Sequence, residues 1–127
     1  MNNPFVLVFL GGGIGSVLRL GVNRLARLWL TPDFPWGTLA VNAFGGFAAG
    51  LVAAWLVARS AGGTDSASLF LLTGVLGGFT TFSAFSLDAV LLWQRGAVGL
   101  AAAYVLGSVM LSLAGVIAGL AIARVLG

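Results

Sequence analysis

The sequence contains no cysteine, no histidine, no lysine and no glutamate. Without cysteine there is neither a disulfide framework nor a thiolate metal site. Without histidine and glutamate most other metal ligands and general bases are gone too, so catalysis is hard to build and no enzymatic role is expected. Charge of either sign is scarce: three acidic residues and six arginines make up 7% of the 127 residues. What fills the chain instead is apolar, 60% hydrophobic with a mean hydropathy of +1.11. That is the composition of a membrane protein. The high isoelectric point does not signal nucleic acid, because the arginines are spread over loops and helix ends and form no basic patch.

A bilayer is crossed by about 20 apolar residues in helical form, so four crossings use nearly the whole chain and leave no soluble domain. The pattern predicts spans over 5–29, 36–58, 69–93 and 98–125, together one transmembrane domain covering 1–127. The first apolar stretch starts at Pro4 with no basic segment before it, which predicts a first crossing and not a cleaved signal peptide. Thr31, Pro32, Asp33 and Pro35 mark the first turn, the polar stretch 60–68 the second connection, and Gln94, Arg95 and Gly96 the third. The GGGIG run from Gly11 to Gly15 follows no strand, so it is not read as a phosphate loop.

Each span carries two glycines four residues apart: Gly11 and Gly15, Gly46 and Gly50, Gly74 and Gly78, Gly115 and Gly119. Such pairs let helix backbones approach closely in lipid. A compact bundle is expected, and because four short helices hardly enclose a polar path alone, a homodimer is expected as well. Arg59 and Arg124 lie toward one end of the bundle, Arg24, Arg27 and Arg95 toward the other. A bias of one arginine fixes orientation weakly, so insertion in both directions, and hence an antiparallel dimer, is open to this chain. That count holds if Arg19 lies within the helix.

The third span is unusual. TGVLGGFTTFSAFS, from Thr73 to Ser86, sets glycines, threonines, serines and phenylalanines inside an apolar segment. It reads as a broken membrane helix, with Gly74, Gly77 and Gly78 lowering helix propensity and Thr80 and Thr81 competing for backbone partners. Irregular backbone at bilayer depth is tolerated only where protein buries it or where it lines a polar cavity. Carbonyls freed there can hold a hard cation, and the amide end of a half-helix favours an anion. Phe82 and Phe85, three apart, share a face flanked by Ser83 and Ser86, and their ring edges are weakly positive. Asn42 stands alone in span two, either as an interhelical hydrogen bond or as a donor to a solute. Tyr104, Ser108 and Ser112 recur at intervals of four and draw hydroxyls down one face of span four. Arg19 and Asp88 are the charges most embedded in apolar context, each requiring a partner or a route to the interface.

These pieces together resemble the Fluc family of bacterial fluoride channels, also called CrcB proteins. The resemblance runs through GGGIGSVLR at Gly11 to Arg19, WGTLAVNAFGGF at Trp36 to Phe47, TGVLGGFTTFSAFS and the Tyr104, Ser108, Ser112 stripe. It implies an all-α protein of the bacterial inner membrane with a broken third helix, forming an antiparallel, dual-topology homodimer with two fluoride pores and a central structural Na⁺. It further implies that Asn42, Ser83, Phe82, Phe85, Tyr104, Ser108 and Ser112 line the pore. Arg19 would belong to a vestibule, and the backbone carbonyls of Gly77 and Thr80 would hold the Na⁺. Two positions depart from the family's usual pattern. Ala84 replaces a hydroxyl residue, and Asp88 stands where glutamate is common, shortening the reach of that carboxylate. The competing class is a small four-span transporter, a drug or cation exporter or a fluoride/proton antiporter. Proton coupling there calls for a membrane-embedded carboxylate, typically glutamate, and this chain has none of that type.

Overall fold

The computed structural model describes residues 3–59 and 65–127. It is all-helical, with four helical crossings long and apolar enough to span a bilayer. The segment 60–64 of the expected second connection lies outside the described residues.

Helix α1 (Pro4–Trp29) starts as its sequence dictates. Pro4 occupies the first helical position, where its missing N–H is no loss, and the Asn3 side chain accepts from the Phe5 amide at 2.9 Å. Helix α2 (Trp36–Ala58) follows a short turn and is the most enclosed crossing: 28% of its apolar window is buried inside the chain, against 11% for each of the others. The third crossing, Ser66–Gln94, is composite. It runs through α3 (Ser66–Ser68), a π-helical stretch (Leu69–Leu76), α4 (Gly77–Phe79) and, after an interruption, α5 (Phe82–Gln94). Helix α6 (Val98–Leu126) completes the bundle. The expected ends agree with these bounds to within one residue except at the start of the third crossing, where Ser66–Ser68 is helix and not loop.

The glycine pairs explain the packing. Gly11 and Gly15 of α1 face Phe70, Gly74 and Val75 of the third crossing, while Gly46 and Gly50 of α2 face Ser112, Val116 and Gly119 of α6. A Cβ on Gly11 would sit 3.0 Å from the Gly74 Cα, and one on Gly119 would sit 3.1 Å from the Gly50 Cα. Small residues thus meet small residues in two helix pairs, the arrangement that lets dispersion and backbone contacts hold helices together in lipid. At the end of α5, Gly96 takes φ +86°, a conformation that costs a residue with a Cβ. Its amide bonds the Trp93 carbonyl and that of Ala97 bonds the Leu92 carbonyl, closing the helix before α6 begins.

The buried core is small. Leu92, Ala101 and Tyr104 form its centre, with Phe34, Leu39, Phe85, Ala89 and Ala97 packed around them. Most large apolar side chains face outward, Phe9, Leu28, Val105 and Ile117 among them. A surface of that kind is stable only against lipid or another apolar face.

Candidate ion pathway

The interruption falls at Thr80 and Thr81. Both backbones are extended, Thr80 with ψ 160° and Thr81 with φ −153° and ψ 120°. The glycines expected to cause the break do not: Gly74 lies in the π-helical stretch and Gly77 and Gly78 in α4. The threonines decide the site through their hydroxyls. Thr80 Oγ1 donates to the Leu76 carbonyl at 2.9 Å, where the Thr80 amide also bonds at 3.0 Å, closing the upstream half. Thr81 Oγ1 accepts from the Ala84 amide at 3.2 Å, the N-cap that starts α5.

Asn42 holds the gap. Its Oδ1 accepts from the Thr81 amide at 2.8 Å and its Nδ2 donates to the Thr81 carbonyl at 3.0 Å. One side chain thereby replaces both backbone partners lost at the break, which in an apolar medium would each cost several kcal/mol if left unmade, ~2–7 by transfer estimates. An amide carries two N–H donors, so Asn42 keeps one beyond this pairing. From the other side, Arg19 Nη1 donates to the Thr80 carbonyl at 3.1 Å. The arginine therefore reaches the break from within α1, satisfying its charge at a carbonyl where α-helical pairing has ended. Because the Thr81 amide is spent on Asn42, the Gly77 carbonyl lacks its ordinary partner four residues on.

An open groove of about 500 Å³ runs along the face between α2, the third crossing and α6. Asn42, Gly77, Thr80, Phe82, Phe85, Ser108 and Ser112 all contribute to its lining, with Leu72, Leu76, Val109, Leu113 and Val116 as apolar wall. The chain thus brings together in one concavity most of the residues that sequence patterns single out separately. Phe82 is 80% exposed and stands 5.7 Å, centroid to centroid, from the half-buried Phe85. Ser108 Oγ is buried and, among the described residues, has no hydrogen-bond partner. Ser108 also lines the groove, so an unpaired polar group lies within its wall.

Tyr104, Ser83 and Arg19 are not on this lining. Tyr104 is fully buried, its hydroxyl donating to Asp88 Oδ2 at 3.2 Å. Ser83 Oγ lies 3.4 Å from Thr81 Oγ1, at the start of α5. Ser86 Oγ bonds back to the Phe82 carbonyl at 2.9 Å, an ordinary helix-internal contact. The sequence reading missed Thr38, buried one turn before Asn42 with its hydroxyl beside the Tyr104 oxygen. The spacing of four between Thr38 and Asn42 was the available signal, both being polar residues on one face of an apolar helix.

Comparison with known proteins decides what this arrangement belongs to. The model of the family described as "CrcB-like protein, Camphor Resistance (CrcB)" matches residues 6–120. The chain belongs to the CrcB-like family. A protein of Paracoccus denitrificans named "Fluoride-specific ion channel FluC" is 59% identical over 124 residues, 98% of this chain and 97% of that protein. Proteins of the same printed name from Agrobacterium fabrum and Rhodopseudomonas palustris are 56% and 52% identical, each over at least 93% of both chains. Every groove residue of this CrcB-like chain falls inside the matched span, as do Arg19, Asp88 and Tyr104. It is a multi-pass integral membrane protein, and its family is one of channels and not of enzymes.

Proposed function

We infer that this chain is a fluoride-specific channel of the bacterial inner membrane, letting fluoride run passively down its gradient. The observation that carries the reading is the groove: a helix break at membrane depth, clamped by Asn42, opens beside two phenylalanines and two serines. Near-full-length identity to proteins named fluoride-specific channels supports the identity of the ion.

Fluoride is small and strongly hydrated, so a pore must replace its water with donors or the transfer penalty stops it. The groove offers the spare N–H of Asn42, the hydroxyls of Ser108 and Ser112, and the ring edges of Phe82 and Phe85. None of these carries a fixed positive charge, so an anion that enters is not trapped. The groove is open along one side, and we propose that a second, antiparallel copy closes it, giving two pores per dimer. The near-balance of arginines between the two ends and the unburied apolar faces support that arrangement.

The family resemblance also implies a structural Na⁺ held by the backbone carbonyls of Gly77 and Thr80, and the residues fit it. The Gly77 carbonyl is freed of its amide by the Thr81–Asn42 pairing, and Thr80 retains a second lone pair beside its bond from Arg19. When bound, such an ion joins broken helix ends and offsets local negative charge. Proton-coupled transport finds little support, because Asp88, the carboxylate of the third crossing, pairs with Tyr104 and is not on the groove lining. Efflux of fluoride from proteoliposomes held at equal pH on both sides tests the channel reading. Fluoride must leave without a pH gradient; strict dependence on that gradient favours the antiporter.

A further inference from the structure

The three arginines of α1 are placed differently. Arg19 turns inward and bonds the Thr80 carbonyl. Arg24 and Arg27 are exposed. Arg95 has the Asp33 carbonyl and Arg59 the Trp55 ring, but neither Arg24 nor Arg27 has such a partner among the described residues. Both stand over an apolar furrow. It lies open along the outside of α1, about 710 Å³ in volume, with Phe9, Leu10, Gly13, Ile14, Val17 and Leu18 in its lining. A Cβ on Gly13 would meet nothing within 4 Å, so the missing side chain leaves open space there.

Each helical residue turns the chain by about 100°, so Arg24 lies about 20° to one side of Gly13 and Arg27 about 40° to the other. Val17 and Leu20, both exposed, carry the same stripe between them. Gly11 and Gly15, which pack on the third crossing, lie about 160° away. The furrow therefore faces out of the bundle, and no residue of α1 lines the ion groove.

We infer that this stripe binds one anionic phospholipid, with its phosphate between Arg24 and Arg27 and an acyl chain in the furrow. The lengths agree. Eleven residues separate Gly13 from Arg24, a rise of about 16 Å, which is close to half of a hydrocarbon core of about 30 Å. A headgroup at the arginines thus brings its chain down to the furrow. Trp29, exposed just beyond the arginines, is of the type that sits at headgroup level. The chemistry agrees as well, because a planar guanidinium matches the oxygens of a phosphate, and side chains three residues apart on a helix can share one group. A zwitterionic headgroup brings its own cation, which two guanidiniums repel.

Native mass spectrometry of the delipidated full-length protein, titrated with dioleoyl phosphatidylglycerol or dioleoyl phosphatidylcholine, reads the binding. Wild type is expected to retain phosphatidylglycerol about tenfold more strongly, as two arginines near an anionic headgroup imply. Equal retention overturns the inference, and this comparison needs no variant to fold. Arg24→Gln with Arg27→Gln is expected to abolish the preference, while Arg59→Gln with Arg124→Gln, which removes the same charge elsewhere, keeps it. Equal loss in both pairs overturns the inference, since net charge alone then suffices. Gly13→Leu puts a side chain into open space and is expected to weaken phosphatidylglycerol about threefold with both arginines intact; unchanged retention overturns the placement of the chain. Displacement of the lipid by inorganic phosphate would make this a site for a free anion, and a changed number of chains in the Arg24→Gln, Arg27→Gln protein would mean that a second copy covers the face. Either result overturns the inference, and none of these readouts depends on fluoride.

Discussion

Asn42 serves the architecture and, in the proposed channel, would serve conduction with the same side chain. Its two bonds to Thr81 are structural, and the residue that makes them also lines the groove. Asn42→Asp places a carboxylate oxygen against the Thr81 carbonyl and leaves that carbonyl unpaired, a cost of about 1–3 kcal/mol. The added charge repels anions, so fluoride efflux is expected to vanish while size-exclusion chromatography finds the same species as for wild type; unchanged efflux would rule out a pore role. Ser108 makes the opposite case. Its buried hydroxyl has no partner among the described residues, so Ser108→Ala is expected to leave thermal stability unchanged or slightly raised, within about 1 kcal/mol, while slowing fluoride. A marked loss of stability would mean the hydroxyl is bonded within the protein. Phe82 is 80% exposed in the single chain, so Phe82→Ile removes little packing and is expected to lower throughput more than assembly, as paired flux and gel-filtration measurements would read.

At the scale of helices, the third crossing is where sequence reasoning went furthest and where it stopped. That Thr73 to Ser86 breaks was legible, because so many glycines and hydroxyls do not belong in a regular membrane helix. Where it breaks was not. Low helix propensity points to the glycines, but propensity is a weak local term, and in lipid a backbone leaves the helix only where partners wait for it. Those partners, Asn42 and Arg19, come from other helices and no local pattern announces them. Gly74 and Gly78 have a different task, close approach to α1, which their spacing of four did announce. The π-helical stretch Leu69–Leu76 had no composition to betray it, and the burial of Tyr104 away from the groove lining needed the neighbouring helices to be seen. Two substitutions separate these causes. Thr81→Val removes the N-cap of α5 and is expected to cost about 1 kcal/mol with the fold retained. Gly15→Ala drives a Cβ into the Val75 carbonyl and the Phe79 amide, and it is expected to abolish assembly in detergent. Recovery of a dimer with wild-type melting would contradict the close-packed α1 interface.

The whole molecule is a bundle that hides little of itself, with only 11% of three of its four apolar windows buried by its own chain. Lipid covers much of the rest, but Asn42, Thr80, Thr81 and Ser112 set polar groups into a largely apolar groove wall, and such groups are costly against hydrocarbon. That mismatch is what argues for a second copy. The most direct test of the account is fluoride-electrode recording from proteoliposomes of the purified protein, with equal pH inside and out and chloride measured in parallel. The account predicts rapid fluoride release with chloride retained. Vesicles that hold their fluoride, or that release both halides alike, would contradict it.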